Sequence, residues 1–151
     1  MNFQGKRDES ILNEEIKYDS VARYMAKNVI TFSPDQPVVE AIDTMLEKRI
    51  SGGPVVNDKG DLVGMLSEKD CLKIIVDRQY NNLPNQKSTV ADYMSRTVAT
   101  VDISKDVVDV ANMFVTGHYR RYPVVENGKL KGQVSRRDIM KATRDLKGTT
   151  W

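Results

Sequence analysis

Two short segments of the chain place a hydroxyl and a carboxylate three residues apart, each behind a run that opens with glycine. Gly64-Met65-Leu66-Ser67-Glu68-Lys69-Asp70 is matched by Gly132-Gln133-Val134-Ser135-Arg136-Arg137-Asp138. If a strand runs into a helix at each Ser, the helix start presents free backbone N–H groups that attract phosphate. The neighbouring carboxylate accepts hydrogen bonds, and ribose hydroxyls are suitable donors. Glycine at 64 and 132 lets a ligand come close to the strand. Lys69, Arg136 and Arg137 fall in the first helical turn, where a cation opposes the helix dipole, and this points to an anion. The plainer reading of Ser-x-x-Asp is a capping box that favours any helix start. The short reach of Asp, compared with Glu, counts slightly against it.

Other chemistry finds little support. His118 is the only histidine and Cys71 the only cysteine, so no metal cluster of the usual spacing exists and no metal is expected. A Cys–His nucleophilic pair is formally open. However, Cys71 shares the apolar side of its helix and reads as core, while His118 follows a helix end and reads as surface. Nucleophile-elbow and Walker glycine motifs are both missing. No catalytic residue is assigned, and an enzyme is not expected. Met45, Met113 and Met140 sit at helical spacing and read as core. Of Tyr119 and Tyr122, one is expected to pack under a hairpin.

The elements that position these residues are duplicated. Val21-Ala22-Arg23-Tyr24-Met25 recurs 69 positions on as Val90-Ala91-Asp92-Tyr93-Met94. Pro54-Val55-Val56 recurs as Pro123-Val124-Val125 at the same offset. After a one-residue gap, Gly60, Leu62, Gly64, Ser67, Asp70 and Lys73 meet Gly128, Leu130, Gly132, Ser135, Asp138 and Lys141. A unit of about 55 residues is marginal alone, because it buries only about 60% of its unfolded surface. Two copies are therefore expected to pack into one module.

Each copy reads as strand, helix, strand, strand, helix. In the first, Val29–Phe32 is β-branched, and Pro37 suits the first helical position behind Gln36 or Asp35. Val38, Ala41, Ile42 and Met45 follow at helical spacing. A hairpin turns at Asn57–Gly60, and Ser67 caps a helix whose apolar side carries Cys71, Leu72, Ile75 and Val76. In the second, Val98–Val101 is the strand and Ser104 the helix cap. Val107, Val110, Ala111 and Phe114 form the apolar stripe, with Gly117 beyond the helix end. Asn127-Gly128 is a tight-turn signal. The division is residues 1–17, a polar extension with a helix over about Glu9–Lys17; 18–78, repeat one; 79–89, a linker; 90–145, repeat two; and 146–151, a fraying tail.

Composition narrows the classes further. The chain has 151 residues, 40% apolar and 29% charged, with a net charge of +2. A generally basic nucleic-acid binder is excluded on that balance. Residues 112–151 nonetheless hold nine Lys+Arg against three Asp+Glu, and this basic stretch keeps a nucleic-acid-binding accessory protein open as an alternative. One cysteine allows no intramolecular disulfide and suits a reducing cytoplasm. No apolar run reaches the roughly 20 residues of a membrane helix.

The paired repeat has Tyr-Met before the first strand, Pro-Val-Val opening the hairpin, and Gly-x-x-Ser-x-x-Asp closing it. This arrangement resembles a tandem CBS-domain pair over about residues 18–145, most visibly from Tyr119 to Asp138. Gln133 departs from the family pattern, as a polar residue expected to face solvent or a ligand. The resemblance implies an α+β module of two β-α-β-β-α repeats packed pseudo-symmetrically, with two clefts. Such pairs bind adenosine-containing ligands such as AMP, ADP, ATP or S-adenosylmethionine, and no cofactor is required. Carried over, Ser67, Lys69 and Asp70 would share one nucleotide site with Arg120 and Arg121. Ser135, Arg136, Arg137 and Asp138 would share the other with Ser51 and Gly52. Backbone at Lys27, Asn28 and Val29, and at Arg96, Thr97 and Val98, would line the adenine pockets. The expected role is regulatory, with a homodimer built on apolar helix surface and an effector protein acted on in trans. Membrane and nucleic acid are not expected partners. A dimerisation module without ligand is the structural alternative.

Overall fold

The computed structural model describes residues 18–81 and 88–150. Repeat one contains α1 (Val38–Lys48), β1 (Gly52–Val56), β2 (Leu62–Ser67) and α2 (Glu68–Asn81). A one-turn helix α3 (Val90–Tyr93) opens repeat two, followed by β3 (Val101–Asp102), α4 (Val107–Thr116), β4 (Arg121–Glu126), β5 (Lys129–Ser135) and α5 (Arg136–Thr150). The counterpart of α3 in repeat one is a 3-10 turn at Val21–Arg23. β1 and β2 form an antiparallel hairpin. β4 and β5 form another, with β3 added parallel to β4.

The first strands are shorter than the β-branched runs suggest. In place of a strand over Val29–Phe32, repeat one has a single parallel bridge between Phe32 and Val55. In place of Val98–Val101, repeat two has Val101–Asp102. The pairing survives only where the chain passes the proline-led strand of its own hairpin. Phe32 N–H donates to the Pro54 carbonyl at 3.0 Å, and Val56 N–H donates back to Phe32 at 2.9 Å.

Several caps also differ from expectation. Pro37 sits at the cap of α1 instead of inside it. α4 is capped by Asp106, not Ser104: Asp109 N–H donates to Asp106 Oδ1 at 2.9 Å and Asp109 Oδ2 accepts from Asp106 N–H. Ser104 instead gives both its N–H and its hydroxyl to Asp102. Gly117 ends α4 in extended backbone (φ −99°), so no left-handed residue is needed there. The left-handed end belongs to α1, at Arg49 (φ 54°). Asn127 and Gly128 both have positive φ, as the expected two-residue hairpin turn requires.

Two cores form, and each takes its lid from the other repeat. Val90 and Met94 pack with Phe32, Ala41, Met45, Val55 and Leu66 of repeat one. Val21 packs with Val101, Val107, Val110, Phe114 and Val124 of repeat two. The backbone ties follow the same exchange. Val21 N–H donates to Lys105 and Val90 N–H to Gln36, both at 2.9 Å. At the far edge, the antiparallel pair Ala26–Gln133 is matched by Ser95–Met65. These bonds repeat at the sequence offsets of 69 and 68, so the pseudo-two-fold axis is written into the hydrogen bonding.

α2 turns a different side inward than the apolar spacing suggests. Ile74 is buried, while Leu72, Ile75 and Val76 lie 53–67% exposed. Met140 of α5 is likewise 68% exposed and not core. Tyr122 is the tyrosine that packs inward, stacked on Phe114 at 4.8 Å, with its hydroxyl donating to Met113. α5 continues past residue 145 to Thr150, and α2 past 78 to Asn81. The helix expected over Glu9–Lys17 lies outside the described residues.

Candidate functional site

β2 and β5 each run straight into a helix, and each junction carries the Ser-x-x-Asp pair. Asp70 reaches back in spite of its short side chain. Its Oδ2 accepts the Ser67 N–H at 3.0 Å and the Ser67 hydroxyl at 2.9 Å, while its own N–H donates to Ser67 Oγ. Asp138 does the same, accepting the Ser135 N–H at 2.9 Å and donating to Ser135 Oγ. The capping box is thus real at both junctions. It occupies one carboxylate oxygen and leaves the second. Among the described residues, Oδ1 of Asp70 is approached by Lys73, at 3.6 Å. The side chain of Asp70 is only 14% exposed, so the spare oxygen sits in a partly dry place where an added donor counts for more.

The exchanged segments bring residues from the opposite repeat against the strands that lead into these junctions. The Ser95–Met65 pair lays Arg96, Thr97 and Val98 beside β2. The Ala26–Gln133 pair lays Lys27, Asn28 and Val29 beside β5, and there a cleft of about 230 Å³ opens. Lys27, Val29, Thr31 and Gly60 line it from one repeat, and Leu130, Lys131 and Gly132 from the other. Gln133 meets the segment through its backbone in both directions, at 2.8 and 2.9 Å. Its polar side chain therefore does not break the pattern it departs from.

The glycines at 64 and 132 have a structural use as well. A Cβ on Gly132 would lie 2.6 Å from the Ala26 carbonyl oxygen and 2.8 Å from Met25 Sδ. One on Gly64 would lie 2.8 Å from the Ser95 carbonyl oxygen and 2.7 Å from Met94 Sδ. The close approach expected for a ligand is made by the exchanged backbone itself.

Arg120 and Arg121 lie next to the junction of their own repeat. Arg136 N–H donates to the Arg120 carbonyl at 3.1 Å, and Arg121 pairs with Ser135. Ser51 and Gly52 stand in the same way to Glu68 and Ser67. Among the described residues, no hydrogen bond or ion pair joins Arg120 or Arg121 to Asp70, or Ser51 or Gly52 to Asp138. Lys69, Arg136 and Arg137 are exposed in the first turns of α2 and α5. Gly52 holds φ 155°, and a Cβ there would lie 2.3 Å from the Leu66 carbonyl oxygen. The position equivalent to Arg121 thus tolerates no side chain in repeat one.

Sequence reasoning did not assign Thr31, Gly60, Leu130 or Lys131 to a site, although Gly60 and Leu130 stand among the repeated positions. Met25 and Met94 were visible as repeated residues, but nothing in the pattern said that they cross to the other repeat. Cys71 is half-buried rather than core. Burial, and then the charge of Asp70, push its thiol up to about 11. Among the described residues no helix is long and apolar enough to cross a membrane.

Two mixed repeats with exchanged lids and paired strand–helix junctions define a tandem, pseudo-symmetric two-repeat module. The CBS domain profile matches residues 21–77 and 90–145, and the chain belongs to that family. It is 32% identical over 133 residues to the uncharacterized protein MJ1225 of Methanocaldococcus jannaschii, covering 88% of this chain and 44% of that protein. The chain spans between about a third and two thirds of the length of the curated relatives it matches first. Among solved structures, Arabidopsis thaliana CBSX2 in complex with AMP superposes with a TM-score of 0.72 at 28% identity, covering 87% of this chain and 99% of that one. The CBS pair of MJ0100, in complex with 5′-methylthioadenosine and S-adenosyl-L-methionine, gives 0.65 at 25% identity, covering 89% and 100%.

Proposed function

We propose that this chain is a regulatory module that binds an adenosine-containing ligand in the clefts between its repeats. The observation that carries this reading is the pairing of the strand ahead of each Asp junction with a backbone segment from the other repeat. A ligand held by both shifts the balance between two arrangements of the repeats, because it binds them unequally. Asp70 and Asp138 offer their free carboxylate oxygens to the ribose hydroxyls. Residues 96–98 and 27–29 flank the base. Arg120 and Arg121, whose backbone runs beside the Ser135 junction, are assigned to reach phosphate oxygens of a ligand held at the Asp70 site, where guanidinium groups bind bidentately. The Asp138 site has Ser51 and Gly52 in their place and draws its charge from Arg136 and Arg137. The complex of CBSX2 with AMP and that of MJ0100 with S-adenosylmethionine support the ligand class. The chain acts as a sensor and not as an enzyme, in the cytoplasm, on an effector protein in trans. Two copies pair through the exposed helix faces.

A thermal-shift panel of AMP, ADP, ATP, S-adenosylmethionine, NAD and cyclic dinucleotides tests this. A ligand at 100 times its Kd stabilises by about 2.7 kcal/mol. Asp70→Asn and Asp138→Asn keep a cap acceptor but weaken the acceptor for ribose. Loss of the response in one Asn variant assigns the site. The exposed apolar helix faces favour a second reading, a dimerisation module without ligand. A dimer that responds to no ligand selects it. Steep salt dependence of oligonucleotide binding selects the nucleic-acid accessory instead.

A further inference from the structure

The segment that crosses to each site is fastened twice. Ala26 is bonded to Gln133 of β5 through the backbone in both directions, at 2.8 and 2.9 Å. Two residues earlier, the Tyr24 hydroxyl donates to Asp145 Oδ2 of α5 at 2.6 Å. The other copy repeats this. Ser95 and Met65 of β2 exchange backbone bonds at 2.8 and 2.9 Å, and the Tyr93 hydroxyl donates to Asp77 Oδ2 of α2 at 3.3 Å. The tyrosines stand 69 positions apart and the carboxylates 68, the offsets of the repeat itself.

The place of the two carboxylates gives this tie a use. β5 runs into α5, whose first turn carries Asp138, and Asp145 lies seven residues further along the same helix. That is about 10 Å at 1.5 Å per residue. Asp77 stands in the same relation to Asp70 on α2. Tyr24 therefore fastens its segment to the helix that bears Asp138, and Ala26 fastens it to the strand ahead of that helix. Residues 27–29 follow directly. Tyr93 and Ser95 do the same for residues 96–98 against the helix that bears Asp70. Both rings pack on the core to which they cross, so phenylalanine would serve the packing equally well. The Asp145 hydrogen bond, and then burial, hold the Tyr24 hydroxyl protonated beyond its ordinary pKa of 10. Tyr93 is shared with Ser88, and its bond to Asp77 is the longer one, so this tie is the looser.

We propose that Tyr24 and Tyr93 are positioning residues, one for each nucleotide site: each hydroxyl locks the base-flanking segment of one repeat to the helix that carries the Asp of the other, and so sets the span that a nucleotide must bridge. This rests on the ligand reading above. The tyrosines act through the backbone at 27–29 and 96–98, not by touching the nucleotide. A span fixed in advance spares the ordering that binding would otherwise have to supply. The shorter tie gives Tyr24 the larger effect.

The test uses the full chain, with AMP and S-adenosyl-L-methionine as probes in isothermal titration. Asp70→Asn and Asp138→Asn first show which site holds each probe. Tyr24→Phe should weaken a probe at the Asp138 site by about three- to tenfold, the net worth of one hydrogen bond, and leave the Asp70 site unchanged. Tyr93→Phe should do the reverse, by less. Asp145→Asn keeps a carbonyl for the hydroxyl and should retain most of the affinity that Asp145→Ala loses. Amide hydrogen exchange gives a reading without any probe: Tyr24→Phe should speed exchange at Ala26 and Gln133, and not at Ser95 and Met65. Weakening at both sites alike, or exchange raised throughout the chain, makes the tyrosines general stabilisers and overturns the proposal. A wild-type chain that binds neither probe overturns the ligand reading, and the positioning role with it. A chain that binds a probe, while the phenylalanine variants bind it as tightly, overturns the positioning role alone.

Discussion

The ammonium of Lys129 sits 2.8 Å from Asp61 Oδ1, joining the two hairpin turns across the pseudo-two-fold axis. It also donates to the Lys59 carbonyl at 2.8 Å. Beside it, Leu62 N–H donates to Gly128 and Leu130 N–H to Gly60, so the turns are tied in both directions. The Lys129 hydrogen bond, followed by that of the Asn57 amide, holds the Asp61 carboxyl below its ordinary value of 3.8. A carboxylate with a depressed pKa contributes stability above its unfolded value and loses it as the pH falls through the folded one. Lys129→Ala should therefore lower Tm at pH 7, and the gap from wild type should close in strong acid. Thermal melts at pH 7 and near pH 2 check this; an equal gap at both would refute it.

Gly132→Ala should destabilise the fold by about 1–3 kcal/mol, the usual cost of forcing an atom into filled space. The obstacle is the Ala26 carbonyl, which is backbone and cannot swing aside. Urea denaturation reads the cost. Gly128→Ala meets nothing within 4 Å and pays only for its positive φ of 79°. If Gly132→Ala proves the milder of the two, the close approach of the exchanged segment is wrong.

Asp106→Ala should cost about 1 kcal/mol, the typical value of an N-cap. Ser104→Ala should cost less, because its hydroxyl serves only the turn at Asp102. Chemical denaturation of the two variants ranks them, and a larger loss at Ser104 would return the cap to it.

Cys71 should resist thiol reagents. With its thiol pushed up to about 11, the thiolate fraction at pH 8 is roughly a hundredfold below that of an ordinary cysteine, and only the thiolate attacks. Labelling with a maleimide should be slow in the native protein and fast in urea. Rapid native labelling would contradict the burial that raises the thiol.

The repeat, the hairpins and both Ser-x-x-Asp junctions were legible in the sequence, because turns and caps demand particular residues at particular spacings. The cap of α4 was misread because Ser104 and Asp106 are both good caps, and only the capping partner at Asp109 separates them. The inward side of α2 was misread because Leu72, Ile75 and Val76 are as apolar as Ile74, and spacing alone does not say which face meets the sheet. At the candidate site, the place of Asp70 and Asp138 at strand–helix junctions was legible. The exchange that pairs Ala26 with Gln133 and Ser95 with Met65 was not, since identical motifs carry no mark of which copy they complete.

That exchange sets the order in which the chain can mature during synthesis. The first core needs Val90 and Met94, so repeat one stays unfinished on the ribosome until residues well past its own last helix have emerged. Val21, made early, waits for Val124 and Val134. Contacts of such long sequence separation are slow to form, and they leave apolar surface open meanwhile. Neither half is a unit that folds first and is later joined. A chain cut between the repeats would yield two incomplete pieces, each lacking the lid that the other holds.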